Sequence, residues 1–191
     1  MSLFLLRHGE TQFNREDRIQ GWRDSALTET GIAQARRNGR VLAELLADKA
    51  RYRIYSSPLG RALNTARLVA FELGRDAAEI RSDRRLIELS LGHWEGFTWG
   101  EVPKRFPEDW AARVADKWTY EVPGGESYQD MATRLASWLA DHPDPAIAVT
   151  HGAAGRILRG LYAGLSREEM MTLEEPQDAF FELTGGEILR R

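Results

Sequence analysis

Three short apolar runs, Ser2-Leu3-Phe4-Leu5-Leu6, Tyr52-Arg53-Ile54-Tyr55 and Ala146-Ile147-Ala148-Val149-Thr150, end in polar turns and are separated by stretches of helical period. Runs this short and apolar read as buried strands, and strands alternating with helices restrict the chain to an α/β architecture. The expectation is a mostly parallel central sheet with helices on both faces.

The helices are legible in outline. Thr28 caps a helix running to about Ala47, with Ile32, Ala35, Gly39, Leu42 and Leu46 as its apolar stripe. Ser56-Ser57-Pro58 opens a second, with serine as cap, proline in the first turn and a stripe from Leu59 to Leu73. Ser127 and Asp130 have the spacing of a capping box for a third, and a fourth spans Gly152 to Tyr162. Gly185-Gly186 separates the arms of a terminal hairpin. Residues 94–126, broken by Pro103, Pro107, Pro123 and Gly124-Gly125, read as an inserted helical lid.

At 191 residues and 42% hydrophobic content, one domain over 1–191 is expected. Its 26 basic and 29 acidic side chains are interleaved and sum to −3, which offers no basic field to nucleic acid or to an anionic membrane. With no cysteine, disulfides and cysteine-ligated metals are excluded. The first apolar run has no basic leader and is too short for a signal or a span, so a cytoplasmic, unexported protein is expected, as monomer or homodimer.

The chemistry gathers at the strand ends. Leu6 leads to Arg7-His8, Tyr55 leads through Ser56-Ser57-Pro58 to Arg61, and Thr150 leads to His151-Gly152. Parallel neighbours converge such groups on one crevice. Two arginines can fork hydrogen bonds to phosphate oxygens, and free amides at the start of the Gly152 helix add a positive end, which makes a phosphate pocket without a metal. Taken singly the pieces are weak: an Arg-His-Gly occurs by chance in about one chain in a hundred. A helix-borne arginine is usually a solvated one, and a histidine after a buried strand is often structural. Their coincidence at three strand ends is what counts.

The ordered motifs resemble the histidine phosphatase superfamily, which includes cofactor-dependent phosphoglycerate mutases and small phosphatases. They are Leu5 to Thr11 with Asn14, Gln20-Gly21-Trp22, Leu27 to Gly31, Ser56 to Ala62 with Thr65-Ala66, Leu86-Ile87-Glu88 with Gly92 to Gly96, and Val149-Thr150-His151-Gly152. The resemblance implies that His8 attacks phosphorus and becomes phosphohistidine. It implies that Arg7, Arg61, His151 and Asn14 hold the phosphoryl oxygens, with Gln20, Gly21 and Gly152 in the binding site. Glu88 matches the general acid, later the base that activates water, although the neighbouring carboxylate Glu95 is a rival and Glu10 has no such role. No metal or cofactor is implied. The partners are a small phosphorylated metabolite and its product, inorganic phosphate.

Rival readings are narrower. A metalloenzyme would use His8, Glu10, Glu88 and His151, but no His-Glu-x-x-His spacing occurs and Arg7 and Arg61 repel a cation. An inactive scaffold is disfavoured because every expected catalytic position is filled. Within the family, mutases are longer after Glu88 and have an Arg-Arg-Ser-Phe segment and a proline run, whereas here Arg105 and Arg113 stand single and separated. Hydrolysis is therefore expected over phosphoglycerate mutation, with ribazole phosphate of cobalamin synthesis among the possible substrates. Phe97, Trp99, Phe106, Trp110, Trp118 and Tyr120 read first as packing within the lid and second as apolar walls for a leaving group. Ala153 and Gln177 depart from the commoner glycine and asparagine, which bears on substrate fit. His93 and His142 are read as non-catalytic.

Overall fold

The computed structural model describes residues 2–142 and 145–191. The first half of the chain folds as β1 (Ser2–Arg7), α1 (Gln12–Arg15), α2 (Glu29–Leu45), β2 (Arg53–Ser56), α3 (Gly60–Glu72) and β3 (Arg81–Ser82). The second half supplies α4 (Val102–Arg105), α5 (Pro107–Ala115), α6 (Tyr128–Asp141), β4 (Ala146–Thr150), α7 (Gly152–Ala163), α8 (Arg167–Thr172), β5 (Phe180–Thr184) and β6 (Glu187–Arg190). The strands form one sheet in the order β3-β2-β4-β1-β5-β6. β1 to β4 pair in parallel, and the β5–β6 hairpin adds antiparallel to β1.

Because side chains alternate across a strand, β1 feeds two cores at once. Leu3 and Leu5 pack with Tyr55, Ala146 and Ala148 against α6 and α7, a core that includes the fully buried Trp94 and Trp138. Phe4 and Leu6 pack with Ile54, Ile147 and Val149 against Leu42 of α2 and Ala62, Ala66 and Val69 of α3. Each fully buried side chain of this size contributes about 1.5–3 kcal/mol. Helices thus cover both faces, as the sequence pattern predicts. No helix among the described residues is long and apolar enough to cross a membrane.

Two local expectations are corrected. Ile32 is 39% exposed, and the inward stripe of α2 runs instead through Gly31, Ala35, Asn38, Gly39 and Leu42. The second helix does not open on a serine cap: α3 starts at Gly60 after Leu59, which makes no side-chain cap bond. The cap comes from outside the helix, because Asp24 Oδ1 accepts the Arg61 backbone N–H at 3.2 Å. α1, β3 and α8 are too short to show a period in sequence. In the insertion, α4 and α5 rest on the rest of the fold through Val102, Phe106 and Trp110.

Candidate active site

Sheet register brings the strand ends together. Arg7 of β1 lies opposite Thr150 of β4, and Ser56 of β2 opposite Val149. One further rung on each side fixes the residues beyond: His8 N–H donates to the Thr150 carbonyl at 2.9 Å, and Ser57 N–H to the Val149 carbonyl at 3.0 Å. The His8 and His151 rings are consequently 5.2 Å apart, and both residues are buried. Gly9 lets the chain turn away at once, since a Cβ there would lie 2.2 Å from the Gly31 carbonyl oxygen at the start of α2.

The contacts of His8 assign its protons. Nδ1 is 2.8 Å from the carbonyl oxygen of Gly9, an acceptor, so Nδ1 bears the hydrogen. Nε2 accepts from Arg61 Nε at 3.3 Å and keeps its lone pair. Burial first, then the Arg61 and Arg7 charges, hold the imidazole well below its ordinary pKa. His8 is therefore a neutral ring with an available Nε2 at neutral pH.

Arg61 is 1% exposed and anchors the site. Besides His8, it donates to the carbonyls of Gly21 and Arg23, each at 2.7 Å, and to Asp24 Oδ1 at 3.1 Å. The 20–24 loop is thereby folded onto the clamp, which puts Gln20 and Gly21 on the cavity wall. Glu95 secures the same loop by accepting the Trp22 and Arg23 backbone N–H groups, and it ties it to the 90–91 turn by accepting the Ser90 hydroxyl and the Leu91 N–H. The rival carboxylate is thus a buried structural hub. Glu10 is likewise occupied, accepting from Thr28 Oγ1 at 2.6 Å. Arg7 donates to the Glu175 carbonyl, and its Nε has no partner among the described residues.

Glu88 lines the cavity with Arg7, His8 and Arg61. Its Oε1 accepts the N–H groups of Leu89 and Ala154 at 2.9 and 3.0 Å, and its Oε2 accepts that of Ala153 at 3.2 Å. The positive end of α7, expected to hold phosphate, therefore holds Glu88. Gly152 is corrected with it: it sits behind the clamp, where a Cβ would approach Glu175 Oε2 to 2.5 Å and Arg7 Cζ to 3.3 Å. The departure to Ala153 matters little for a phosphate nest, since its amide is taken. Arg134 of α6, invisible as a site residue in sequence, pins the turn before Glu88 by donating to the carbonyls of Arg85, Ile87 and Glu88.

His151 is oriented by Ser57, whose Oγ lies 2.7 Å from Nε2, while Nδ1 has no partner among the described residues. Burial, then Arg61, His8 and Arg7, lowers its pKa well below the ordinary value. Asn14 Oδ1 accepts from Thr11 N–H, Thr11 Oγ1 and Gln177 Nε2, and its amide N–H groups, on the cavity wall, have no partner among the described residues. Gln177 Nε2 also donates to the His8 carbonyl at 3.2 Å, so this residue touches the loop that carries His8. His93 and His142 lie elsewhere, against Asp109 and the Trp138 carbonyl.

The cavity above His8 measures about 650 Å³, and its outer half overturns one sequence reading. Arg113 is not isolated. α5 carries Arg113 inward, with Lys117 just beyond it, and α7 supplies Arg156 from the other side; all three line the cavity around Tyr128. Their guanidinium carbons and ammonium nitrogen lie 5.5–5.8 Å from the Tyr128 ring centre. Desolvation, then Arg113 and Arg156, lowers the Lys117 pKa even though its side chain reaches solvent. Of the insertion's aromatics, Trp99 and Trp110 reach the cavity; Phe97, Phe106, Trp118 and Tyr120 pack on the core.

A family model described as histidine phosphatase superfamily (branch 1) matches residues 3–184. A probable fructose-2,6-bisphosphatase of Schizosaccharomyces pombe is 32% identical over 96% of this chain and 43% of its own length. This chain thus spans less than half of that relative. A 2,3-bisphosphoglycerate-dependent phosphoglycerate mutase of Azorhizobium caulinodans is 31% identical over 90% of this chain and 86% of that protein. The solved α-ribazole phosphatase of Shigella flexneri superposes with a TM-score of 0.84 at 26% identity, covering 100% of this chain and 95% of that one.

Proposed function

The chain belongs to the histidine phosphatase superfamily, branch 1, and on that premise we propose that it is a metal-independent phosphomonoester hydrolase acting through a phosphohistidine on His8. The observation that supports this most is the state of His8: neutral, with Nδ1–H committed to Gly9, and Nε2 beside Arg61 in the cavity. In the first half-reaction the Nε2 lone pair forms a bond to phosphorus as the ester P–O bond breaks. Glu88, as the acid, gives its proton to the departing alkoxide. Arg7, Arg61, His151 and the Asn14 amide hold the equatorial oxygens, where charge spreads in the transition state. Glu88 as carboxylate then takes a proton from water, whose oxygen displaces His8 and releases inorganic phosphate.

The test is mass spectrometry of acid-labile phosphate after rapid mixing with a chromogenic phosphomonoester, on wild type and His8→Ala. Label on His8 with loss of turnover in the variant is the expected outcome; label on serine alone refutes the assignment.

A second reading is favoured by Arg113, Lys117 and Arg156, which suit a substrate with a second anionic group. Such a tail is common to bisphosphates and to the phosphoglycerates of a mutase, whereas the nucleoside-like tail of ribazole phosphate leaves the cations unused. Incubation with 3-phosphoglycerate and 2,3-bisphosphoglycerate separates the reactions: free phosphate marks the hydrolase, and 2-phosphoglycerate without phosphate release marks the mutase.

A further inference from the structure

Among the cations of the outer cavity lies one carboxylate that the chemistry at His8 does not use. Glu175 Oε1 is 3.0 Å from Arg156 Nη1, and Arg156 Nη2 donates to the Tyr128 hydroxyl at 2.9 Å. The Glu175 backbone carbonyl accepts from Arg7, so the same residue touches both the phosphoryl clamp and the outer group. Its other oxygen occupies the space left by the missing side chain of Gly152, where a Cβ would come within 2.5 Å. Glu175 is therefore seated by the fold and lines the cavity.

We propose that Glu175 is a specificity-determining residue, a resident counter-ion that sets how strongly Arg113, Lys117 and Arg156 hold the anionic tail of a substrate. This rests on the phosphohydrolase reading above. Three cations less one carboxylate leave the outer group with a formal charge of +2. The tail stays on the alcohol product after phosphate leaves, so attraction to it binds substrate and product alike and slows release without lowering the barrier. A fixed negative charge weakens that attraction in proportion to the charge of the tail and leaves a neutral tail untouched.

Glu175→Gln keeps an acceptor for Arg156 and removes the charge. KM is measured for p-nitrophenyl phosphate, 3-phosphoglycerate and fructose 1,6-bisphosphate, whose tails are neutral, singly and doubly anionic. Relative to the shift for the neutral tail, which absorbs any effect through Arg7, KM is expected to fall about five- to tenfold per unit of tail charge. Glu175→Asp, which keeps the charge, should hold the wild-type ratios to within about twofold. An equal shift for all three compounds, no shift, or a rise with tail charge overturns the proposal. Calorimetric binding of the same compounds to His8→Ala reads the pattern without turnover. An inert wild-type enzyme would then sink the phosphohydrolase reading while the charge dependence still decides the role of Glu175.

Discussion

The two halves of the cavity are built on different principles. The inner half is anchored on residues that directly follow parallel strands, His8, Ser57 and His151, each fixed by a sheet rung or by the strand that precedes it, with Arg61 reaching His8 from the first turn of α3. Arg61 is buried and tied down at nearly every donor, and Arg7 is half-buried. The outer half is made of helix-borne side chains from segments distant in sequence, partly open to solvent and held by an aromatic ring and a single ion pair. A site that must stabilise a transition state is made rigid by backbone, since misplacement there costs rate. A site that must only recognise a tail can be assembled from side chains on an insertion.

That contrast predicts a graded response to substitution. His8→Ala should reduce phosphomonoester turnover by about 10⁴-fold or more, because the proposed covalent intermediate forms on its Nε2. Residual turnover within tenfold of wild type would break the inner site as drawn. Arg61→Ala should cost about 10²–10³ in kcat/KM, together with a loss of thermal stability as Asp24 and the Gly21 carbonyl lose their partner. Were the rate to fall with the melting temperature unchanged, Arg61 would not be the anchor its contacts imply.

The outer half should answer more gently and in KM alone. Arg113→Met is expected to raise KM for a doubly anionic substrate about tenfold with kcat near wild type, and to leave p-nitrophenyl phosphate unaffected. A matching loss with the neutral substrate would show that the two halves are not separable.

The smallest effect is one of pH on the inner half. Burial, then neighbouring charge, depresses the pKa values of His8 and His151 in the folded protein. The unfolded chain therefore takes up protons first as pH falls. Stability should be flat above the ordinary value of ~6.5 and decline below it, by up to about 1.4 kcal/mol per pH unit for each histidine. Denaturant midpoints measured between pH 8 and 5 in phosphate-free buffer test the sign; a rise in stability on acidification would place a compensating carboxylate beside the rings.

What could be read in advance follows the same division. The parallel strands, the Thr28 and Ser127 caps, the terminal hairpin and the inner residues all sit in contiguous motifs with local signatures: a short apolar run, a capping spacing, a glycine turn or an ordered motif. Ile32 went wrong, while Ala35, Gly39, Leu42 and Leu46 are buried as expected, because apolarity alone does not show that Gly31 and Asn38 make the contact on that face. The N-terminus of α7 went wrong because a helix N-terminus attracts any anion, and sequence does not say that a carboxylate from 65 positions earlier arrives first.

Sequence by itself determined the alternation of elements, and with it the sheet, the strand-end crevice and the residues delivered there, since hydrophobic period and strand-end chemistry are local properties. Only the tertiary structure decided that Arg113, Lys117, Arg156 and Glu175 share one cavity, that Glu95 is structural, and that Ser57 orients His151. These are contacts between positions far apart in the chain, and their existence depends on how the insertion and α7 pack, which no local pattern encodes.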